Sequence, residues 1–379
     1  MINFNIPPVT GNETKYIQEA INNRKICGDG PFTKKCSEWM ENRFHADKVL
    51  MTTSGTSALD LAVMLCELNP GDEVILPSFT FSSTATAPLL SGASLVFVDI
   101  DPKTMNIDAE KIKAAITDKT RVLMIMHYGG VACDMKEIRK IADENGLILI
   151  EDAAQGVMAE YDGQALGTFG DFGCYSFHET KNYSMGEGGA LLINNPAYVE
   201  RAEILREKGT DRSKFNRGQV DKYTWVDKGD SFLPSELNTA YLYAQLEMAD
   251  EINNDRLKTW NHYYEGLKPL EDAGLIELPH IPEKAVHNAH LFFVKAKDIE
   301  ERSRLIAFAK ERGVQMVFHY IPLHSAPAGL KYGRFSGEDE YTTRESERLV
   351  RLPLYYGLTD DEAAQVVSVI REFYENSGE

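Results

Sequence analysis

A single lysine stands within the stretch SFHETKNYSMGEGG (176–189), among hydroxyl, imidazole and carboxyl side chains. An amine held in such a place, with a lowered pKa, can condense with an aldehyde or act as a general base. A surface lysine before a glycine-rich turn would have the same sequence. Lys181 is therefore a candidate catalytic residue only if other parts of the chain supply a reactant for it.

The stretch TTSGTSAL (52–59) follows an apolar run and enters a helical pattern at Gly55 and Thr56. Backbone N–H groups at the start of a helix can hold a phosphate, and hydroxyl side chains add further donors. Taken alone, these residues are explained equally well by an ordinary helix cap.

Two further strand ends carry side chains that suit a heteroaromatic ring. LILIEDAAQG (147–156) delivers Asp152 and Gln155 after an apolar run. A carboxylate buried there requires a cationic or hydrogen-bonding partner, such as a pyridinium N–H. PSFTFSSTATA (77–87) supplies Phe81, whose ring can stack on another ring. Helix capping and core packing are the ordinary alternatives.

These four features occur in sequence order on successive strand ends, and together they match one cofactor. Pyridoxal phosphate (PLP) requires a phosphate cradle, a stacking ring, a carboxylate for the ring nitrogen and an imine-forming lysine. Neither G-x-G-x-x-G nor G-x-x-x-x-G-K-[ST] occurs in the chain, which disfavours dinucleotide and ATP sites. We therefore predict a PLP site. The scattered cysteines show no zinc spacing, and we expect no metal site.

The elements that must position these groups alternate between strand and helix patterns from about residue 47 to 195. We expect strands at 48–52, 73–77, 94–100, 121–127, 147–152, 172–178 and 189–195. Most of these runs are continuously apolar, which is typical of strands buried on both faces. The sequence thus predicts an α/β fold with a large, mostly parallel sheet and helices on both faces. Ligand-binding groups are expected at the carboxyl ends of its strands.

A second pattern begins near residue 235 with a near-continuous helical stretch, followed by short apolar runs and a closing helix. We place an N-terminal segment and the large PLP-binding domain at 1–250. A small α+β domain follows at 251–379, joined by the long helix. The stretch GRFSGEDEY (333–341) is expected to be an exposed loop.

The charge balance limits the possible partners. Asp and Glu number 58 and Lys and Arg number 40, so the formal net charge is −18. We therefore expect no binding to nucleic acid or to anionic membranes. The start of the chain has no signal-peptide pattern, no apolar run is long enough to span a membrane, and no C-x-x-C pair occurs. These features predict a cytoplasmic protein with reduced thiols.

On these motifs the chain resembles the DegT/DnrJ-type sugar aminotransferases over essentially its whole length. The resemblance is carried by SGTSAL, PSFTFSSTA, EDAAQ, SFHETKNYSMGEGGAL and YIPLH. It implies the aspartate-aminotransferase fold, PLP as cofactor, and a homodimer with sites at the subunit interface. CGDGPFTKKC, REKGTDRSKFNRGQVDKYTW and FHYIPLH resemble sequences of members that aminate C4 of a dTDP-4-keto-6-deoxyhexose. Those members use glutamate as amino donor and give a dTDP-4-amino-4,6-dideoxygalactose product.

The resemblance also implies roles for individual residues. Lys181 would carry the cofactor and act as the catalytic base, and Asp152 would pair with the ring nitrogen. Gln155 would lie against the phenolic oxygen of the ring, and Phe81 would stack on the ring. The cofactor phosphate would be held by Gly55, Thr56 and Ser176.

Two family positions differ in this chain. Many members have an Asn before the long helix that reaches the cofactor phosphate of the partner subunit. Ser231 stands at that position here, and Leu233 stands where Arg is usual. We expect the Ser231 hydroxyl to donate to the phosphate in place of the Asn amide.

For the nucleotide-sugar, residues 206–225 form a basic segment in an otherwise acidic chain. We expect contacts to the diphosphate and the base from Arg212, Lys214, Tyr223 and Trp225, and contacts to the sugar from His319, Tyr320 and His324. A solvated loop and structurally bound histidines are the alternatives.

Three functions stay open at this point. The first is a nucleotide-sugar aminotransferase, including one that forms a 4-aminoglucose product or aminates C3. The second is another PLP enzyme of this fold, such as a sugar dehydratase, in which His replaces the lysine. The third is a non-enzymatic regulator. Lys181 favours transamination, and the charge of −18 disfavours a regulator that binds DNA.

Overall fold

The computed structural model describes residues 1–376. The α-helices are α1 (Glu13–Asn22), α2 (Pro31–Phe44), α3 (Gly55–Leu65), α4 (Ser82–Leu90), α5 (Ala109–Ala115), α6 (Met135–Asn145), α7 (Val199–Arg206), α8 (Arg212–Asn216), α9 (Glu236–Leu246), α10 (Ala249–Asp272), α11 (Ile299–Glu311), α12 (Pro327–Tyr332), α13 (Thr342–Arg348) and α14 (Asp360–Asn376). The strands are β1 (Lys48–Thr52), β2 (Glu73–Pro77), β3 (Ser94–Val98), β4 (Thr120–Met126), β5 (Ile148–Asp152), β6 (Glu160–Tyr161), β7 (Gln164–Ala165), β8 (Phe172–Ser176), β9 (Gly189–Ile193), β10 (Ala285–Val286), β11 (Phe292–Lys295), β12 (Gly333–Phe335) and β13 (Leu349–Leu352). Short 3-10 helices lie at Tyr128–Gly130, Pro196–Tyr198 and Leu323–Ser325.

Eight of these strands form one sheet in the order β1-β9-β8-β5-β4-β2-β3-β12. Neighbours are parallel except at β9, which runs antiparallel to both β1 and β8. This confirms the predicted α/β fold with a mostly parallel sheet. The seven strands expected from the apolar runs all form, with ends within two residues of those expected.

Both faces of the sheet are buried, and successive residues of a strand enter different cores. In β2, Val74 and Leu76 pack with residues of α3 and α4. Ile75 packs with residues of α5 and α6 on the opposite face. Burial on both faces explains why the strands have continuous apolar runs in the sequence.

The C-terminal part of the chain builds a core of its own. β11 pairs antiparallel with β13, and helices α10, α11 and α14 pack around them. Ile2, at the start of the chain, is buried in this same core. Its N–H donates to the Gly313 carbonyl (2.7 Å), and its carbonyl accepts from the Gln315 N–H (3.1 Å). The division of domains at residue 250 stays a prediction.

Two expectations from the sequence are wrong in detail. Gly333–Phe335 is not a loop but strand β12, which pairs parallel with β3 at the edge of the large sheet. The helical stretch from residue 235 is divided, because α9 ends at Leu246 and α10 begins at Ala249. Met248 lies between them with non-helical angles (φ −111°, ψ 21°). A short edge strand has too little apolar pattern to be recognised in the sequence.

The register of the sheet brings the polar strand ends to one edge. Met126 at the end of β4 is opposite Asp152 at the end of β5. Gly189 is opposite both Thr52 at the end of β1 and Ser176 at the end of β8. The side chains that follow these strands are therefore placed close together. Within residues 1–376, no helix is long and apolar enough to cross a membrane.

Candidate active site

A cavity of about 630 Å³ opens at this edge of the sheet. Nine of the residues singled out from the sequence line it: Gly55, Thr56, Phe81, Asp152, Gln155, Ser176, Lys181, His319 and Tyr320. The strand order brings them together from stretches more than 200 residues apart in the chain, since residue 55 meets residue 320. Their individual roles stay predictions.

Lys181 presents an amine without a partner to the cavity. Its backbone N–H donates to the His178 carbonyl (2.9 Å) and fixes the loop after β8. Its Nζ makes no hydrogen bond or ion pair with any residue between 1 and 376. Burial lowers the pKa of Lys181 to about 8, an effect that the Asp152 carboxylate opposes and the Arg351 guanidinium reinforces. The neutral amine needed for a nucleophile or base is therefore accessible near neutral pH.

Asp152 is a buried carboxylate whose contacts are polar but uncharged. Its Oδ2 accepts from the Thr84 hydroxyl (2.7 Å), and its Oδ1 accepts from the Ala154 N–H (3.2 Å). Burial raises the pKa of Asp152, and these two hydrogen bonds and the nearby Lys181 oppose that change. No cation of the described residues forms an ion pair with it. A protonated ring nitrogen would supply the missing charge.

The start of α3 forms a cradle of backbone donors. Ser54 caps the helix by accepting from the Ser57 N–H (3.0 Å). The N–H groups of the first turn, which begins at Gly55, have no acceptors within the helix. A Cβ atom on Gly55 would lie 2.8 Å from the Ser176 Cβ, and one on Gly189 would lie 2.3 Å from the Ser54 carbonyl oxygen. The cradle is therefore held by close contact with the ends of β8 and β9.

Aromatic and amide groups cover another wall of the cavity. The Phe81 side chain is 60% exposed and lies with its ring centroid 6.4 Å from that of Tyr320. Gln155 accepts from the Gly129 N–H (2.6 Å) and donates from Nε2 to the Tyr320 hydroxyl (3.1 Å). The His319 ring stacks on Tyr320 at 3.8 Å and 16°. The exposed phenylalanine can stack on the face of a planar ring, and the fixed amide can contact the edge of the same ring.

These features fit PLP on grounds of chemistry and space. The Asp152 carboxylate has no cation beside it, and the Lys181 amine has no partner, among the described residues. The N–H donors at the start of α3 stay uncovered because residues 55 and 189 are glycines. Among residues 1–376, no group of three or more His, Cys, Asp or Glu side chains is placed to hold a metal ion.

Five of the singled-out residues lie elsewhere on the same chain. Ser231 and Arg212 line a second cavity, of about 290 Å³. Arg212 pairs with Glu207 (2.9 Å), and Lys214 pairs with Glu200 (2.6 Å). The rings of Tyr223 and Trp225 are exposed. Within one chain these residues do not meet Lys181, and their contacts with a substrate or with the partner subunit's cofactor stay predictions.

His324, which was predicted to contact the sugar, does not line the cavity. Its Nδ1 lies 2.7 Å from the Ser78 hydroxyl oxygen, and its Nε2 lies 3.2 Å from the Asp339 carboxylate. These contacts fix the segment after Tyr320 to the end of β2. They favour the structural alternative, and the contact of His324 with the sugar stays a prediction.

Among the further residues that line the cavity, Phe4, His290 and Arg351 were not predicted from the sequence. The His290 Nδ1 lies 2.9 Å from the Asn182 Oδ1 and so ties the residue after Lys181 to the C-terminal part of the chain. Arg351 lies within β13, in the otherwise apolar run LVRLPL. A charge inside a buried strand is a signal that could have identified Arg351.

Comparison with known proteins points to one family of enzymes. The model of the DegT/DnrJ/EryC1/StrS aminotransferase family matches residues 8–371. The dTDP-4-dehydro-2,3,6-trideoxy-D-glucose 4-aminotransferase of Saccharopolyspora spinosa is 32% identical, with 98% of this chain and 96% of that protein covered. The GDP-perosamine synthase of Caulobacter vibrioides is 30% identical, with 96% of each covered. The crystal structure of the aminotransferase TlmJ from Streptoalloteichus hindustanus superposes with a TM-score of 0.92 at 28% identity, over 100% of both chains.

The superposition confirms the predicted aminotransferase fold. Aminotransferases of this family depend on PLP, so the cofactor predicted from the motifs is confirmed. The chain belongs to the DegT/DnrJ/EryC1/StrS aminotransferase family.

Proposed function

We propose that the protein transfers an amino group from glutamate to C4 of a dTDP-4-keto-6-deoxyhexose, giving dTDP-4-amino-4,6-dideoxygalactose. The observation that carries the aminotransferase part is an unpartnered Lys181 amine in one cavity with the uncompensated Asp152 carboxylate. The choice of C4 and of a dTDP-sugar is supported by the Saccharopolyspora relative, whose name specifies both. The Caulobacter relative is named for a GDP-sugar, so the nucleotide requires a direct test.

The residues of the cavity have distinct tasks in this proposal. Asp152 keeps a proton on the ring nitrogen, and the donors at Gly55, Thr56 and Ser176 receive the phosphate. PLP, when bound, supplies a ring that accepts the electron pair left on a carbon that loses its proton. The neutral Lys181 amine takes the proton from the carbon that bears the donor's amino group, and it later delivers a proton to the sugar carbon.

The second half of the proposal concerns a homodimer. Ser231 and Arg212 do not line the cavity that contains Lys181 of the same chain. We infer that they serve the cavity of the partner subunit, where the Ser231 hydroxyl donates to the cofactor phosphate. The basic segment is locally paired with Glu200, Glu203 and Glu207, so an incoming diphosphate must compete with these carboxylates.

The test is a product assay with the PLP-loaded protein. The protein is incubated with glutamate and dTDP-4-keto-6-deoxyglucose, and the configuration at C4 of the product is determined by NMR. An axial amine at C4 supports the proposal. An equatorial amine at C4, an amine at C3, or turnover only with GDP-4-keto-6-deoxymannose would replace it by another nucleotide-sugar aminotransferase. No amination of any of these sugars would favour the regulator.

A further inference from the structure

A histidine ring with one uncommitted nitrogen lines the same cavity as Lys181. His290 lies just before β11 and is buried. The Asn182 amide nitrogen donates to the Asn288 carbonyl (2.9 Å), so the Asn182 oxygen is the acceptor in its 2.9 Å contact with the His290 Nδ1. The proton of a neutral His290 is therefore on Nδ1, and Nε2 carries a lone pair. No residue between 1 and 376 donates to that nitrogen.

The surroundings of His290 keep its ring neutral and fixed. Burial holds the pKa of His290 well below its usual value, and basic groups act in the same direction, in the order Lys181, Arg256, Arg351 and His319. The Arg256 guanidinium donates to the His290 carbonyl (2.7 Å) and holds the backbone in place. A neutral imidazole can accept a hydrogen bond without adding a second positive charge beside Lys181.

A small void adjoins the large cavity, and Lys181 and His290 line both. The void measures about 10 Å³, which is close to the least that one water molecule needs and too small for any part of a substrate. The amides of Asn182 and Asn288, which also line it, are already hydrogen bonded. The Lys181 amine and the His290 Nε2 are two polar groups of this void that lack a partner among the described residues.

We propose that this void holds one water molecule, which accepts a hydrogen bond from the Lys181 ammonium and donates one to the His290 Nε2. His290 is then a positioning residue, because it orients the water that supports the charged lysine. Lys181 becomes an ammonium when it takes a proton from carbon, and it delivers that proton to the sugar carbon. The water and His290 therefore gain and lose no proton. The inference rests on the proposed function only in that Lys181 carries a proton between the two carbons.

The ammonium form of Lys181 has little other support in the cavity. The Asp152 carboxylate favours it, and the Arg351 guanidinium opposes it. Asp152 makes no ion pair with Lys181, and in the proposed function it serves the ring nitrogen of the cofactor. A buried charge is costly unless it is hydrogen bonded. A neutral acceptor at His290 reduces that cost and leaves the lysine free to release its proton again.

The test separates the two nitrogens of His290 by substitution. His290→Asn keeps a donor at the place of Nδ1 and removes Nε2, whereas His290→Gln places an amide where Nε2 lies. Acetylation of Lys181 by acetic anhydride is followed against pH in cofactor-free protein, by mass spectrometry of its peptide. We expect His290→Asn to lower the midpoint by about one pH unit, because the ammonium loses a hydrogen bond. His290→Gln should keep the midpoint of the unmodified protein.

The matched control is His287→Asn, the same change at a histidine that lines neither the cavity nor the void. The His287 Nδ1 accepts from the Ala289 N–H (3.2 Å), a contact that the Asn amide oxygen can replace. This variant should keep the midpoint of the unmodified protein. Circular dichroism confirms that each variant folds.

The other outcomes overturn the inference. An unchanged midpoint in His290→Asn would show that Nε2 does not support the ammonium. A rise toward the value of free lysine, about 10.4, would show that the ring only keeps solvent away from the amine. Equal lowering in His290→Asn and His290→Gln would assign the effect to the contact with Asn182.

If His290→Asn does not fold, His290→Leu, which fills the space without an acceptor, takes its place in the comparison with His290→Gln. The labelling assay contains neither glutamate nor sugar. A failed sugar assay would therefore leave the water site standing, and an unchanged midpoint would leave the sugar assignment untouched.

Discussion

At the scale of residues, Lys181 and Asp152 are both shifted toward their neutral forms. Burial lowers the pKa of the lysine and raises that of the aspartate. They make no ion pair with each other, although each charge acts on the other's pKa. The aspartate is thus available to a ring nitrogen and the lysine to a carbonyl group. If they formed an ion pair with each other, neither group would be available to a ring nitrogen or a carbonyl group.

Replacing Lys181 by Ala tests its role as base and carrier. We expect turnover of glutamate and keto-sugar to fall by at least about 10³-fold, because no other amine faces the cavity in the described part of the chain. Lys119→Ala, at an exposed surface position, is the control. Rates are measured by product formation, and circular dichroism confirms that both variants fold. Retained turnover would remove Lys181 from the mechanism.

The lowered pKa of Lys181 predicts a distinct pH dependence of its reactivity. The neutral amine is the reactive form, so labelling of Lys181 by an amine-specific reagent in cofactor-free protein should rise with pH and have its midpoint at about pH 8. Arg351→Gln should move the midpoint upward, because the guanidinium helps to disfavour the ammonium form. Mass spectrometry of the Lys181 peptide gives the rates, with N-acetyl-lysine as reference. A midpoint near that of the free amino acid, about 10.4, would contradict the prediction.

The sequence identified those residues of the site that occur in runs of recognisable chemistry. Lys181, Asp152 and Gly55 follow apolar strands, and their order along the chain already indicated PLP. Arg351 was missed because its signal is a single charge in a distant strand. His324 was predicted to contact the sugar because it shares the stretch FHYIPLH with His319 and Tyr320. Its ring contacts Ser78 and Asp339, and the sugar contact stays a prediction. Proximity in sequence does not specify which way a side chain points.

At the scale of elements, the cradle depends on contact between three backbone segments. The start of α3 packs against the ends of β8 and β9, with no room for a Cβ at Gly55 or Gly189. Apolar runs predicted these strands closely, since burial on both faces leaves a continuous pattern. The close approach of their ends could not be predicted, because it depends on the antiparallel pairing of β9.

Replacing Gly189 by Ala tests this contact. The added Cβ would lie 2.3 Å from the Ser54 carbonyl oxygen and 2.6 Å from the Gly55 backbone nitrogen. We expect the free energy of unfolding to fall by about 2 kcal/mol and the affinity for PLP to fall with it, because the cradle must move. Gly71→Ala is the control for PLP affinity: its Cβ would meet nothing within 4 Å, and its positive φ (98°) makes the substitution cost stability without touching the cradle. Urea unfolding and equilibrium dialysis measure the two quantities, and equal PLP affinity in both variants would refute the argument.

At the scale of the whole molecule, the site as proposed requires two chains. The sequence predicted the cofactor residues and the basic segment together, but one chain separates them into different cavities. Subunit contacts leave little pattern in a single sequence, because even a homodimer interface is only modestly more apolar than other surface. This is why the dimer follows from resemblance and not from the apolar runs.

Mixing two inactive variants tests the shared site. Lys181→Ala lacks the amine, and Arg212→Ala lacks the proposed contact to the partner subunit's substrate. After unfolding and refolding together at equal amounts, half of the dimers are mixed, and each has one intact site, so about a quarter of full activity should return. Each variant refolded alone is the control. No recovery in a mixture shown to contain mixed dimers would mean that each chain builds its site by itself.

The first residues of the chain have a mechanical consequence for the cavity. Ile2 is hydrogen bonded within the C-terminal core, Phe4 covers Arg351, and the Asn5 side-chain amide donates to the carbonyl of Glu179 in the lysine loop (3.3 Å). The two halves of the molecule are thus joined at several separate places, among them α10, this N-terminal segment and the pairing of β12 with β3. A part held at several places cannot rotate freely about any one of them. We expect substrates to enter and leave by movement of side chains and loops at the rim, with the distance between Lys181 and Arg351 kept nearly constant through the cycle.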